Sequence, residues 1–376
     1  MIRAWVVTAA ALASNGFAAE VPIPAPPQLG ATSYILMDHS SGRIIAAEAA
    51  DEPVEPASLT KLMTAYVVFK ALREGQISLD DQVFVSEKAW RTQGSRMFIE
   101  VGTQVPVEDL IRGMVVQSGN DASVALAEHV AGSEGTFVGL MNQYAEMLGM
   151  TGSSFQNSTG LPAENHYLTA RDAAALARAI ISEFPEYYGW YSERDFTYNE
   201  IKQHNRNSLL WRDSSVDGLK TGHTEAAGYC LVTSAERSGM RLISVVMGMP
   251  TAEARVDGSQ ALLNYGFRFY ETHKLYALGE EITTARVWKG DPPVAALGLL
   301  EDLYVTIPRG SYDALTASMD LQTDLVAPLD PSVPVGQVRV SLEGEDLSDV
   351  PLVALHAVSE ASLWTRLRDE VVLWFQ

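Results

Sequence analysis

Cysteine is nearly absent from the chain: Cys230 is the only one in 376 residues. No internal disulfide can form, so the core must hold by packing alone. Basic residues are scarce too, with 27 Lys and Arg against 47 Asp and Glu and a net charge of −20. That balance argues against a nucleic-acid partner, because phosphate binding needs a basic face. The motifs of metal chemistry are missing: there is no H-E-x-x-H string and no Cys/His cluster, and the paired carboxylates Asp80-Asp81 and Glu280-Glu281 read as loops. No metal or cofactor is therefore expected. The seven histidines are scattered and none stands beside a serine motif, which leaves no plausible Ser-His-Asp set. Beyond the N-terminus no apolar run is long enough to cross a membrane, and there are no internal repeats or low-complexity tracts.

What is present begins with an export signal. Met1-Ile2-Arg3 is a short positive start, "AWVVTAAALA" an apolar core, and Gly16-Phe17-Ala18 a small-x-small cleavage site. Residues 1–18 are thus expected to be removed, and Pro22, Pro24, Pro26 and Pro27 to form a stiff leader. With export the protein belongs in the periplasm, and the sequon Asn157-Ser158-Thr159 is an incidental match.

Three textures follow. "TSYILMD" and "RIIAAEA" read as a hairpin turned at His39-Ser40-Ser41-Gly42. Residues 72–185 carry mainly helical periodicity, and from Gly218 strands return in "GLKTGHT", "GYCLVTSAER" and "RLISVVMGM". "GSQALLNYGFRFYETH" reads as a helix. Strands first, helices between and strands last predict an α+β fold with one antiparallel sheet, closed across the chain ends and flanked by helices. This unit is expected to span 19–275. Residues 276–357, with short alternating segments such as "LYVTIP" and "VGQVRVSLEG", predict a small all-β domain. In 358–376, Leu363, Trp364, Leu367, Val371, Trp374 and Phe375 fall within an arc of about 120° at helical spacing. That pattern predicts an amphipathic helix lying at a membrane interface, the alternative being a helix docked on its own domain.

The chemistry concentrates in "PASLTKLMTAYVVFKAL". Lys61 stands three residues after Ser58 at the start of an otherwise apolar helix, so both side chains leave the same side of its first turn. A serine hydroxyl is a weak nucleophile and needs an adjacent base. Lys61 qualifies only if burial or a second cation brings its pKa down by several units from about 10.4. The plain alternative for Ser58 is a helix cap. Two further strings, Ser118-Gly119-Asn120 between helices and Lys220-Thr221-Gly222 on a strand, are weak singly. In this order and context the three form a known set. Ser118 can pass a proton, Asn120 can hold Lys61 or the substrate backbone, and Lys220 is expected to be the second cation. Cys230, in the strand "GYCLVTSA", reads as a buried structural thiol.

With "VDGLKTGHT", "SGNDAS", "NRNSLLW" and "NYGFRFYET" added, the chain resembles the low-molecular-mass penicillin-binding proteins of the penicillin-binding protein 5 type, in peptidase family S11. The resemblance implies a β-lactamase/transpeptidase-like catalytic domain, a β-rich second domain and a membrane-anchoring terminal helix on the outer face of the cytoplasmic membrane. It implies a serine D-alanyl-D-alanine carboxypeptidase that trims peptidoglycan pentapeptides through an acyl-enzyme on Ser58 and is blocked covalently by β-lactams. It places the oxyanion donors at the backbone N–H groups of Ser58 and His223, and the carboxylate clamp at Lys220, Thr221 and Arg255. Gly222 completes the substrate strand, while Arg206 and Asp172 match positions near the site rim and the loop before it, their alternative being a structural ion pair. Three other readings are open. A D,D-endopeptidase shares the motifs. A class A β-lactamase would need a Glu-x-x-Leu-Asn loop, and "NSTGLPAENHYLTARDAA" offers only Glu164. A non-catalytic peptidoglycan-binding protein would share the envelope location.

Overall fold

The computed structural model describes residues 23–375, so the expected export signal at 1–18 lies outside the described residues. The main sheet has five antiparallel strands in the spatial order Ile44–Glu48, Ser33–Asp38, Met240–Met249, Gly228–Arg237, Val216–Thr224. The N-terminal hairpin pairs directly with the late strand through Ser33↔Met247 to Asp38↔Leu242, closing the sheet across the chain ends. Alternation along these strands feeds two cores. Ile35, Cys230, Val232, Ile243 and Val245 face one core with the helices Thr60–Arg73, Val107–Val116, Asn120–Ala131 and Ala170–Glu183. Leu36, Leu231, Leu242 and Val246 face the other, covered by Leu262 and Leu263 of the helix Ala252–Phe269.

That last helix is shorter than its pattern suggests. Tyr270–Tyr276 is a strand, not a helical continuation, because it pairs antiparallel with Leu303–Pro308. The position 275/276, where the sequence changes texture, therefore falls inside a strand. The rest of this region is a six-stranded sheet around Val287, Leu297, Val338, Val340 and Leu352. A polar network joins it to the main sheet. Buried Asp38 accepts from Ser41 and from Thr272 Oγ1 (2.7 Å), while Arg43 donates to the Thr306 carbonyl at 2.6 Å.

The terminal helix, Leu363–Leu373, starts at a Ser362 cap and turns its polar side inward. Asp369 is buried and accepts from the Lys289 N–H at 2.8 Å, and Glu370 pairs with the Lys289 side chain. Leu363, Trp364, Leu367, Val371, Trp374 and Phe375 are all exposed, Trp364 at 84% and Trp374 at 86%. Among the described residues no helix is long and apolar enough to cross a membrane.

Candidate active site

Ser58 sits on a 3₁₀ turn, Ala57–Leu59, that runs straight into the Thr60–Arg73 helix. Neither element is capped by a side chain, which removes the capping role for Ser58. Ala57 is held at φ +47, and Gly160, at φ +84, lies against its carbonyl. A Cβ on Gly160 would come within 1.7 Å of the Ala57 oxygen, so only glycine allows this close approach.

Lys61 is 1% exposed. Its Nζ contacts Ser58 Oγ at 3.0 Å and donates to Asn120 Oδ1 at 2.6 Å and to the Thr159 carbonyl at 2.5 Å. Burial lowers its pKa to about 7; Asp121 opposes the shift and Arg206 assists it. Arg206 thus joins Lys220 as a cation near Lys61: Arg206 helps to lower Lys61, and Lys61 and Lys220 disfavour each other's charged forms. Lys220 is itself buried on the edge strand of the sheet, Val216–Thr224, with Nζ on the Thr221 carbonyl at 3.0 Å. Burial, followed by Lys61, Arg206 and Arg255, holds it well below the ordinary lysine value.

Ser118 closes the site from the turn between Val107–Val116 and Asn120–Ala131. It adopts φ +70, and its buried Oγ has no hydrogen-bond partner among the described residues. Such strain persists where surrounding structure fixes it, and it clusters at functional sites. Asn120 bridges the site, receiving Lys61 on Oδ1 and donating from Nδ2 to the Gln93 carbonyl at 2.6 Å.

Above these groups opens a cleft of about 580 Å³, lined by Ser58, Ser118, Asn120, Arg206, Thr221, Gly222, His223 and Arg255. Lys61 and Lys220 are buried and are not among the residues that line it. Gly222 presses onto the Ser58 turn, where a Cβ would stand 3.2 Å from the Pro56 carbonyl. His223 lines the cleft and lies against Tyr229, with ring centroids 4.0 Å apart and the planes tilted by 32°. Arg255 donates to the Gly222 carbonyl at 3.2 Å and keeps a buried Nε without a partner among the described residues. Arg206 donates to the Gln117 carbonyl at 3.2 Å and faces the cleft, not an acidic partner.

Asp172 is a correction. It is buried away from the cleft, accepting from Gly152 N–H (3.0 Å) and Ser153 Oγ (2.6 Å). The ion pair in that region is Arg171 with Asp51. Glu164 is exposed and does not line the cleft. Burial pushes the Cys230 thiol up to about 11, which suits a packing role. Other site groups escaped sequence reasoning. The Thr159 carbonyl is aimed at Lys61 by a turn in which Asn157 Oδ1 accepts from the N–H groups of Thr159 and Gly160. Gly94, Ser95 and Leu161 complete the opposite wall. Asparagine three residues before a glycine is the available signal.

A serine beside a buried, near-neutral lysine, at the edge of an antiparallel sheet with helices on both faces, defines a serine hydrolase of the transpeptidase-like class. The family model for D-alanyl-D-alanine carboxypeptidase of peptidase family S11 matches residues 20–251, and that for the C-terminal domain of penicillin-binding protein 5 matches 270–360. The chain is 45% identical to the D-alanyl-D-alanine carboxypeptidase DacA of Escherichia coli strain K12, over 94% of this chain and 90% of that one. It superposes on crystalline penicillin-binding protein 5 from Haemophilus influenzae with a TM-score of 0.86 and 46% identity, covering 90% of this chain and 100% of that one. It is also similar to penicillin-binding protein D2 of Listeria monocytogenes in an ampicillin-bound form, with TM-score 0.60, 31% identity and coverage of 65% and 100%. The chain belongs to the D-alanyl-D-alanine carboxypeptidase family and is a serine carboxypeptidase of the penicillin-binding protein 5 type.

Proposed function

We propose that Ser58 is the nucleophile and Lys61 its base in removal of the terminal D-alanine from peptidoglycan stem pentapeptides. The observation that carries this reading is the 3.0 Å contact between Ser58 Oγ and a buried lysine brought to a pKa of about 7. In the neutral amine, two N–H groups serve Asn120 and Thr159 and the lone pair is left for the Ser58 proton. Ser58 Oγ attacks the carbonyl carbon of the penultimate D-alanine while Lys61 takes that proton. The backbone N–H groups of Ser58 and His223 receive the oxyanion. As the C–N bond breaks, Ser118 hands a proton from Lys61 to the departing amine, its free Oγ able to donate and accept. Water then attacks the ester, Lys61 takes one water proton, and Ser58 leaves with it.

Lys220, Thr221 and Arg255 recognise the terminal carboxylate, with Gly222 carrying the strand along which the peptide lies and Arg206 adding positive potential at the rim. A carboxylate arriving beside Lys220 compensates the crowding of cations that disfavours its charged form. β-Lactams acylate the same serine. The β-lactamase reading loses support because Glu164 stands outside the cleft and offers no second base to deacylate the adduct. The protein works in the periplasm, held to the outer face of the cytoplasmic membrane by the exposed apolar side of Leu363–Leu373.

The test is intact mass after benzylpenicillin treatment, together with D-alanine release from a D-Ala-D-Ala peptide. One adduct per chain and D-alanine release, both lost in Ser58→Ala, are expected. An adduct that survives Ser58→Ala would remove Ser58 from the role.

A further inference from the structure

Asp121 does not line the cleft, and no cation lies within ion-pair distance of it among the described residues. Its side chain is fully buried, and its carboxylate gathers four backbone N–H groups. Oδ1 accepts from Met97 at 3.0 Å and Ala122 at 2.9 Å; Oδ2 accepts from Phe98 at 2.9 Å and Ile99 at 3.3 Å. A carboxylate so placed substitutes for the backbone partners that an irregular segment lacks.

The segment it holds is the far wall of the cleft. Gly94 and Ser95 line the cavity, and Asn120 binds the same stretch through its own N–H to the Ser95 carbonyl (2.7 Å) and its Nδ2 to the Gln93 carbonyl (2.6 Å). Phe98, half-exposed, is held at φ +71, a conformation that a bulky side chain keeps only when its surroundings fix it. Gly119 leaves the necessary room, since a Cβ there would meet Asp121 Oδ1 at 2.9 Å and Met97 N at 3.2 Å. Residues 93–99 are thus tied to two consecutive side chains, and one of the two also grips Lys61.

We propose that Asp121 is a positioning residue of the carboxypeptidase reaction, fixing segment 93–99 as the cleft wall and, through Asn120, the amine of Lys61. The inference rests on Lys61 being the base. The carboxylate also acts through its charge. It favours protonated Lys61, against the pull of burial and Arg206. The ionisable groups that feel its charge are Lys61 on the Thr60 helix and Tyr198 on the strand Asp195–Tyr198, itself near Asp109 and Glu100; Arg206, after the strand Ile201–His204, acts on Lys61, and Lys61 in turn acts on Lys220 of the edge strand.

The experiment uses the exported full-length chain and compares Asp121→Asn with wild type. Asparagine offers one acceptor oxygen and turns a donor toward the remaining amides, so the wall should loosen. The second-order rate of acylation by a fluorescent penicillin at pH 8 should fall at least about tenfold, as small misplacements of catalytic groups do. The acid limb of that rate should move to lower pH, because a negative charge that favoured protonated Lys61 is gone; a merely structural lesion would lower the rate without moving the limb. Lys61→Arg is run alongside. If it retains acylation with the wild-type limb, the base assignment fails irrespective of Asp121. If it is dead while Asp121→Asn keeps both wild-type rate and limb, the inference about Asp121 is overturned. Hydrogen exchange on the wild-type chain decides the matter should Asp121→Asn not fold. The amides of Met97, Phe98 and Ile99 have no backbone acceptor, so their protection reports the carboxylate; strong protection is expected, and exchange at unprotected rates would overturn the proposal.

Discussion

Lys61 Nζ lies 3.0 Å from Ser58 Oγ and points its other donors at the Asn120 side chain and the Thr159 carbonyl. Both acceptors are neutral, so no counter-charge in direct contact offsets the cost of burying an ammonium. Burial then decides the balance and brings the group to about 7.

The first prediction is a pH profile. Acylation of Ser58 should be level above pH 8 and fall about tenfold per unit below pH 7, as Lys61 takes up a proton. Arginine stays protonated, so Lys61→Arg should fold and lose at least about 10²-fold in acylation rate. Stopped-flow acylation between pH 5 and 9 checks both. A flat profile would leave Lys61 as an electrostatic group only.

Ser118 gives a prediction that separates strain from chemistry. Its φ of +70 suits glycine better than alanine. Ser118→Gly should therefore be more stable than Ser118→Ala by about 1 kcal/mol. Both lack the hydroxyl that relays the proton, and D-alanine release should drop about 10²-fold or more in each. Urea denaturation and a peptidase assay on the two variants test this; full activity in Ser118→Gly would show that the proton travels another way.

The antiparallel strands at the two chain ends, the helical middle and the three motifs are legible because each writes itself in side chains with a period or a string; the strand order within the sheet is not. The Thr159 carbonyl and the 93–99 wall were not, because they act through backbone groups that any residue carries. Arg206 was read as a rim residue, and its part in lowering Lys61 needs a distance that no spacing supplies. The helix ending at Phe269 was overrun because Tyr270 and its neighbours suit helix and strand alike, and pairing with Leu303–Pro308 chose the strand. Asp172 was misplaced for a related reason. A carboxylate after "LTAR" looks available for a site, while the structure spends it on Gly152 and Ser153.

His166 ties stability to acid. It is 4% exposed; Nδ1 accepts from the Gln156 N–H at 2.9 Å, so the proton belongs on Nε2, which donates to Thr60 Oγ1 at 2.8 Å. Burial lowers its pKa from 6.5 to about 4. Above pH 6.5 the ring is neutral folded and unfolded. Between 6.5 and 4 only the unfolded chain takes the proton, so stability drops as pH falls, by up to about 3 kcal/mol from this residue. His166→Gln should lose less stability than wild type between pH 7.5 and 4.5 in denaturant titrations. An equal loss in both proteins would exclude His166 as a contributor.

The last prediction concerns the helix Leu363–Leu373. Counting about 100° per residue, Asp369 lies roughly opposite the centre of the arc that carries Leu363, Trp364, Leu367, Val371, Trp374 and Phe375. The side held to the β domain is therefore the polar one, through Asp369 and Glu370 on Lys289. A helix docked for its own stability would bury the tryptophans instead, since each offers about 150–250 Å² of largely apolar surface. Two glutamates in their place, Trp364→Glu with Trp374→Glu, should leave peptidase activity and denaturation midpoint near wild type, because neither indole packs on the domain. The same variant should lose most of its sedimentation with phospholipid vesicles. With Arg366 and Arg368 balanced by Glu360, Asp369 and Glu370, binding should rest on apolar burial and change little between neutral and anionic vesicles. Equal sedimentation of variant and wild type would deny the helix its membrane role, whereas a lowered midpoint in the variant would reassign the tryptophans to packing.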